Sequence, residues 1–294
     1  MEALKPDIRC AECLYRLAET AARLAFEEGA DPGVHCVETA ARAIVAQGIE
    51  RGMASPVIAN AMLAEISRIS GSQDPYRDFK KEEMDRAEAV FSGLGSDVVG
   101  DLRSGVSMAV IGNTLDFFQN PEQVLNEVPR LLRDGVSFAW DDVDRMDAFL
   151  TEYPRRVLYL TDNAGEVYFD LPLYEILKGR TRQCTLVVKG GPALNDLTRK
   201  ELRDRGLEDR FEDIMDTGTP GAGVDWDRVS NAFTARLEQA DLIVAKGMAN
   251  FETMYPHPLP APAIFLFRVK CEPIQDLVGI PKGGFAALWK EPDA

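Results

Sequence analysis

The sequence predicts an α/β fold with a mostly parallel sheet, preceded by an α-helical subdomain, and three observations carry that expectation. Residues 1–100 show helical apolar stripes and no convincing strand. From Arg156 onward, short β-prone runs alternate with helical ones. Several of these runs end in the same way, with an acid or a lysine beside an amide or a glycine. Alternating strands and helices make a parallel sheet covered on both faces. The expected division is therefore a helical subdomain over 1–100 and a sheet domain over 101–294.

The helical part reads as four elements. Cys10 to Phe26 sets Cys13, Leu14, Leu17, Ala21, Leu24 and Ala25 on one stripe and stops near Gly29. Val37 to Ile49 is the second helix. The third has Ser55 as cap, Pro56 in its first turn, then Val57, Ala61, Ile66 and Ile69, and Gly71 as its stop. Tyr76 to Phe91 is the fourth, with Lys80, Lys81, Glu82, Glu83, Asp85 and Arg86 expected on a solvated face. Between 101 and 120, Asn113 and Asp116 stand three apart and share a face of a helix. Pro121 starts a further helix through Val124, Val128, Leu131 and Leu132, and Asp141 to Leu150 is a shorter one.

Five strands are expected: Val157–Thr161, Thr185–Lys189, Asp213–Met215, Leu242–Ala245 and Ala263–Phe267. The first runs straight into Asp162-Asn163-Ala164-Gly165-Glu166, a turn that opens a helix. In an open α/β sheet, ligands sit at the carboxyl ends of the strands. Asp162 and Asn163 lie at that edge and offer hard oxygens to a metal; Gly165 lets backbone N–H groups approach an anion. Asp162 is also an ordinary helix cap. The second strand ends in Lys189-Gly190-Gly191 and leads to Asn195-Asp196, where Asp196 is again cap or ligand. The fourth ends in Lys246-Gly247-Met248-Ala249-Asn250, and the fifth leads to Lys270. Two acids and three lysines converging on one edge point to a functional site.

Bulk properties narrow the class. Apolar content of 46 % and charged content of 28 % suit a globular protein. No segment approaches the apolar length of a membrane span. Asp7 and Arg9 stand where a signal peptide needs an apolar core, so a cytoplasmic location is expected. A net charge of −15 argues against nucleic acid as a partner and obliges a phosphate site to supply its own local cations. Five cysteines, an odd number, argue against a disulfide framework. Only His35 and His257 are present, which disfavours histidine-based phosphotransfer and triad hydrolysis.

Such a residue set suits phosphoryl transfer to water. A divalent cation held by Asp162, Asn163 and Asp196 would neutralise phosphate oxygens, and lysines would take the remaining charge as it redistributes. Whether water or an Asp carboxylate attacks is left open by the residues. A non-catalytic metal- or metabolite-binding protein is the alternative. A methyltransferase ranks below both, because no Gly-rich nucleotide fingerprint follows the first strand.

Four motifs, Gly112-Asn113-x-x-Asp116-Phe117, Asp162-Asn163-Ala164-Gly165-Glu166, Asn195-Asp196-x-Thr198 and Lys246-Gly247-x-x-Asn250-Phe251, resemble in order and spacing the metal-dependent damage-control phosphatases, in particular their compact archaeal and bacterial branch. The resemblance covers nearly the whole chain. It implies an α-helical subdomain on an α/β/α sandwich and one divalent cation (manganese, cobalt, nickel or magnesium) on Asp162, Asn163 and Asp196. It also implies phosphate contacts from Asn113, the 248–252 turn and Lys270, and hydrolysis of small damaged or side-product metabolites, including sugar phosphates and phosphopantetheine-like compounds. On this reading Asp162, Asn163 and Asp196 are catalytic, and Asn113, Asp116, Glu166, Lys189, Lys246, Asn250 and Lys270 serve the substrate. The expected partner is a small phosphate ester, with no nucleic acid and no membrane; assembly into a homo-oligomer is compatible with it. Some relatives carry Arg-Thr-x-Lys before the last lysine and an Asp at position 248. Here Phe267-Arg268-Val269-Lys270 and Met248 stand there, and Met248 makes no polar contact to a sugar.

Cys10-x-x-Cys13 is read first as buried packing on the helical stripe, with metal or redox use as the alternative and Cys36, Cys184 or Cys271 as the available partners. His257 is expected on a surface loop, Trp140, Trp226 and Trp289 in packing, and the stretch 216–223 as a hinged lid.

Overall fold

A computed structural model describes residues 7–26, 32–94, 100–114, 128, 130–131, 133–152 and 155–293. Helix α1 spans Ile8–Leu24, α2 Pro32–Glu50, α3 Ser55–Ser70 and α4 Arg77–Ser92. Asp7 caps α1 by accepting from the Arg9 amide at 2.8 Å. Gly71 ends α3 in the left-handed conformation, φ +77°, which glycine adopts without a Cβ clash. The cap of α3 is Ala54, so Ser55 lies one residue inside the helix. The first three helices enclose a core of their own around Leu14, Ala18, Val37, Val45, Ile58, Met62 and Ile66.

Helix α5 (Leu102–Gly112) starts at Asp101 in a reciprocal capping box with Ser104. Asp116 and most of the helix expected from Pro121 lie outside the described residues, although Val128 is buried against the sheet. Next come β1 (Phe138–Asp141), α6 (Val143–Glu152), β2 (Arg156–Leu160), a single 3₁₀ turn (Ala164–Glu166), α7 (Val167–Arg180) and β3 (Gln183–Val188). They are followed by α8 (Arg199–Asp204), β4 (Asp213–Asp216), α9 (Asn231–Glu238), β5 (Leu242–Lys246) and α10 (Gly247–Met254). The last elements are β6 (Ala263–Arg268), α11 (Glu272–Val278) and β7 (Phe285–Lys290).

The seven strands form one sheet in the order β1-β7-β6-β5-β2-β3-β4, and every pair is parallel except β6–β7. The five expected strands are present. Two were not foreseen. β1 is a four-residue, mostly exposed edge strand without an alternating pattern, and its last residue had been given to the helix that in fact begins at Val143. β7 follows the last helix, where alternation no longer offers a cue, and two of its buried residues are alanines.

Successive residues of β2 face opposite layers. Val157 and Tyr159 join one core with Phe169, Leu173 and Leu186; Leu158 and Leu160 join the other with Val187, Ile243 and Phe265. The sheet is thus the middle of three layers. From β2 the chain winds outward through β3 and β4 on one side, then returns to β5 and β6 on the other. The direction reverses between β2 and β5, and at such a switch point the loops part to leave a crevice at the carboxyl edge.

Candidate active site

Two segments released at that edge pair with each other. The Ala164 amide donates to the Asn195 carbonyl at 2.8 Å, and the Leu197 amide donates to the Asp162 carbonyl at 2.9 Å. Asn163 and Asp196 face each other in an isolated antiparallel bridge, and Lys189 bridges Thr198 in parallel. This short ladder sets Asp162 beside Asp196, although 34 residues of sequence separate them (196 − 162). Neither acid is a helix cap. Asn163 leads the 3₁₀ turn without a side-chain cap, and α8 is capped by Thr198, whose capping box closes on Glu201. The ordinary structural use of these carboxylates is therefore taken by other residues.

Behind them lies a fully enclosed polar layer. Asn113, at the end of α5, donates from Nδ2 to Asp162 Oδ2 at 3.1 Å and to Glu166 Oε1 at 2.8 Å. Its Oδ1 accepts the Arg268 amide at 3.0 Å. Asn163 Nδ2 also donates to Glu166 Oε1, at 2.8 Å, which leaves its own Oδ1 as an acceptor. Lys246 Nζ binds Glu166 Oε2 at 2.9 Å and Asp170 Oδ1 at 2.7 Å, and the Tyr159 hydroxyl donates to the same Asp170 oxygen at 2.7 Å. Asn250 Nδ2 donates to the carbonyls of Thr161 and Lys246, and its Oδ1 accepts from Lys189 at 3.2 Å. Lys189 Nζ also donates to the Gly223 carbonyl at 2.9 Å and stands 3.5 Å from Asp196 Oδ2.

The electrostatics are those of crowded, desolvated acids. Burial, then the charges of Glu166 and Asp196, raise the pKa of Asp162 well above the usual carboxylate range, against Lys270 and Lys189. Burial lifts Asp196 to about 6, with Lys189 pulling it down. Asp170 also reaches about 6 through burial, against Lys246. Burial lowers Lys246, but Asp170 and Glu166 outweigh it and its pKa ends raised. The Asp196 Oδ2 atom is buried without a hydrogen bond. Two crowded carboxylates whose charged forms burial disfavours, one with an oxygen 3.5 Å from the Lys189 ammonium, together with the Asn163 amide oxygen, fit a hard divalent cation. Among the described residues no three His, Cys, Asp or Glu side chains make a metal cluster; the candidate set is two carboxylates and one amide.

Gly247 closes the crevice from the β5 side. Its φ is +78°, and a Cβ there would overlap the Asp162 carboxylate outright. Gly247→Ala is expected to displace Asp162 and lower turnover by about a hundredfold, because a shift of about 1 Å in a catalytic group costs that much. Steady-state rates on a folded variant check this; a wild-type rate would mean Asp162 is not placed by this contact.

The expected site residues divide in two. Asp162, Asn163, Asp196 and Lys189 gather at the crevice, and Lys270 acts on the titration of Asp162. Asn113, Glu166, Lys246 and Asn250 were expected at the substrate. All four are fully buried, and they bond to one another, to the backbone and to Asp162, Asn163, Asp170 and Lys189 around the crevice. Met248 Sδ accepts the Lys270 amide at 3.2 Å, a role for the residue that stands where some relatives were expected to carry an Asp. Asp170, Glu83 and Lys80 were missed. Asp170 follows Glu166 by one helical turn, a spacing visible in the sequence. Lys80 and Glu83, expected on a solvated face, are each 1 % exposed. Lys80 binds Asp74 at 3.0 Å and Glu201 at 2.7 Å.

Other expectations change as well. Cys13 is exposed and Cys10 half-buried, because α1 turns Leu14, Ala18 and Ala21 into the core instead. Burial pushes the Cys271 thiol up to about 11, with Glu252, Cys10 and Cys13 adding to the rise. The 216–223 stretch is a packed loop rather than a hinged lid: Asn60 from α3 exchanges hydrogen bonds with both backbone groups of Ala222, and Thr217, Thr219 and Ala222 are buried. His257 stacks on Trp226 at 3.7 Å between centroids. Trp140 is 45 % exposed and donates to Asp142, so it is not a core residue.

Comparison with known proteins gives a consistent result. The model of the damage-control phosphatase ARMT1-like domain matches residues 7–284. A damage-control phosphatase of Archaeoglobus fulgidus is 28 % identical over 286 residues, covering 95 % of this chain and 96 % of the relative. One from Pyrococcus horikoshii is 28 % identical over 291 residues, covering 97 % and 98 %. The crystal structure of a DUF89 family protein from Pyrococcus horikoshii superposes with a TM-score of 0.86 at 26 % identity, over 98 % of this chain and 99 % of that one.

Proposed function

Because this chain belongs to the damage-control phosphatase ARMT1-like family, we propose that it is a metal-dependent phosphomonoesterase acting on small phosphorylated metabolites such as sugar phosphates or phosphopantetheine-like compounds. The observation that carries this reading is the ladder that sets Asp162 beside Asp196 at the sheet's switch point. Asp162, Asn163 and Asp196 would hold one divalent cation, manganese, cobalt, nickel or magnesium. When bound, it would supply positive charge to the phosphoryl oxygens and to the attacking nucleophile.

The protein's own groups do the rest. No side chain caps α10, which starts at the carboxyl end of β5, so its first-turn N–H groups at Gly247, Met248 and Ala249 are available as anion donors at that edge. Lys270, held by its amide on Met248, brings a positive charge to the same edge. Lys189 balances Asp196 and keeps that carboxylate ionised for a cation. The Lys246–Glu166–Asp170 layer fixes Asn113 and Asn163, and through Asn113 the orientation of the Asp162 carboxylate.

A phosphate-release screen over sugar phosphates, nucleotides and pantetheine phosphates, each with Mn²⁺, Co²⁺, Ni²⁺ and Mg²⁺, tests the proposal. Release that depends on a cation and is lost with chelator is expected. Cation-induced thermal stabilisation with no release from any ester would favour a binding protein instead.

A further inference from the structure

The turn that carries Asp196 is held from the helical subdomain as well as from the sheet. Glu83, on α4 and 1 % exposed, accepts from Asn195 Nδ2 through both carboxylate oxygens, at 3.2 and 3.3 Å. The same side chain closes on the other half of the ladder: a Cβ at Gly165 would lie 2.7 Å from Glu83 Cγ. One side chain therefore packs against both segments whose pairing sets Asp162 beside Asp196. The residue before Asn195 adds a second hold. Leu194 packs into the helical subdomain's core and has φ +49°, a left-handed conformation that a bulky residue keeps only when its surroundings impose it. One helical turn before Glu83, Lys80 binds Glu201, which completes the capping box on Thr198 just after Asp196. The hold thus runs on both sides of the candidate ligand.

We propose that Glu83 is a positioning residue which, from the helical subdomain, sets the separation of the Asp162 and Asp196 turns and so the affinity of the site for its cation. This rests on the metal-dependent reading given above. Residues that orient metal ligands without touching the ion typically alter affinity by about 10–100-fold when removed.

The test titrates Mn²⁺ alone into the full chain by calorimetry, for the wild type and for Glu83→Ala, Glu83→Gln and Asn195→Ala, with rates against Mn²⁺ concentration as a second readout. Glu83→Ala and Asn195→Ala should each weaken Mn²⁺ binding by about tenfold or more, with the ester KM at saturating Mn²⁺ little changed. Glu83→Gln keeps an acceptor for Asn195 and should stay within about threefold of the wild type. The double Glu83→Ala, Asn195→Ala variant should be no weaker than either single change, because both remove one interaction. If Glu83→Ala does not fold, Asn195→Ala carries the same comparison. A folded Glu83→Ala or Asn195→Ala with wild-type Mn²⁺ affinity overturns the proposal, as does a Gln variant as impaired as the Ala one. A wild-type chain that binds none of Mn²⁺, Co²⁺, Ni²⁺ and Mg²⁺ overturns the metal reading itself, a result distinct from equal affinities across the series.

Discussion

Replacing Asp162 with alanine is expected to lower Mn²⁺-dependent hydrolysis of a generic aryl phosphate about a thousandfold, while the chain remains folded. Asp162 is nearly inaccessible and crowded by Glu166 and Asp196, and it caps no helix. Its side chain accepts a hydrogen bond from Asn113 Nδ2 at 3.1 Å. Removing it takes away a carboxylate that is costly to keep charged, so the metal-free thermal midpoint should hold or rise. What disappears is the stabilisation that Mn²⁺ confers on the wild type. Rates and thermal midpoints with and without Mn²⁺ separate the two effects. Near-normal turnover in the variant would refute the assignment.

The second large effect is on stability. Lys246→Met should destabilise the protein by about 3–5 kcal/mol, the usual cost of leaving buried charges without their partner. Lys246 is 0 % exposed and is the cation that Glu166 and Asp170 share. The loss should depend on pH. Asp170 is held above its ordinary 3.8, at about 6, so protonation favours the fold and its contribution falls away as pH rises through about 6. Without Lys246 that trend steepens, and denaturant unfolding should show a larger deficit at pH 8 than at pH 5. A deficit below about 1 kcal/mol at pH 8 would show that the layer is not a buried ion cluster but a solvated one.

How much of this was legible in the sequence depends on whether the signal was local. The strand-to-Asp162 turn and the Lys246-Gly247 turn announce themselves, because a β-prone run ending on a polar residue and a glycine is a pattern within ten residues. The convergence of Asp162, Asp196 and Lys189 followed from parallel topology, which sends every strand's carboxyl end to one edge. What the sequence did not show is which polar groups face the crevice and which stand behind it. Asn113, Lys246 and Asn250 stand in motifs of the same kind as that of Asp162, yet their partners are fixed by packing across the sheet. Glu83 was hidden for the opposite reason. Its run, Lys80-Lys81-Glu82-Glu83, has the composition of a solvated helix face, and only the docking of α4 on the 164–166 turn buries two of the four. The edge strand β1 and its neighbour β7 lacked any periodic signal strong enough to be read.

The most direct test of the central claim, that Asp162 and Asp196 serve one cation, is anomalous diffraction at the manganese edge from crystals grown with Mn²⁺. The account predicts a single strong peak within coordination distance of the carboxylates of Asp162 and Asp196. A Mn²⁺-dependent enzyme with no peak there, or with its peak beside Cys10, Cys13 and Cys271 instead, would contradict it.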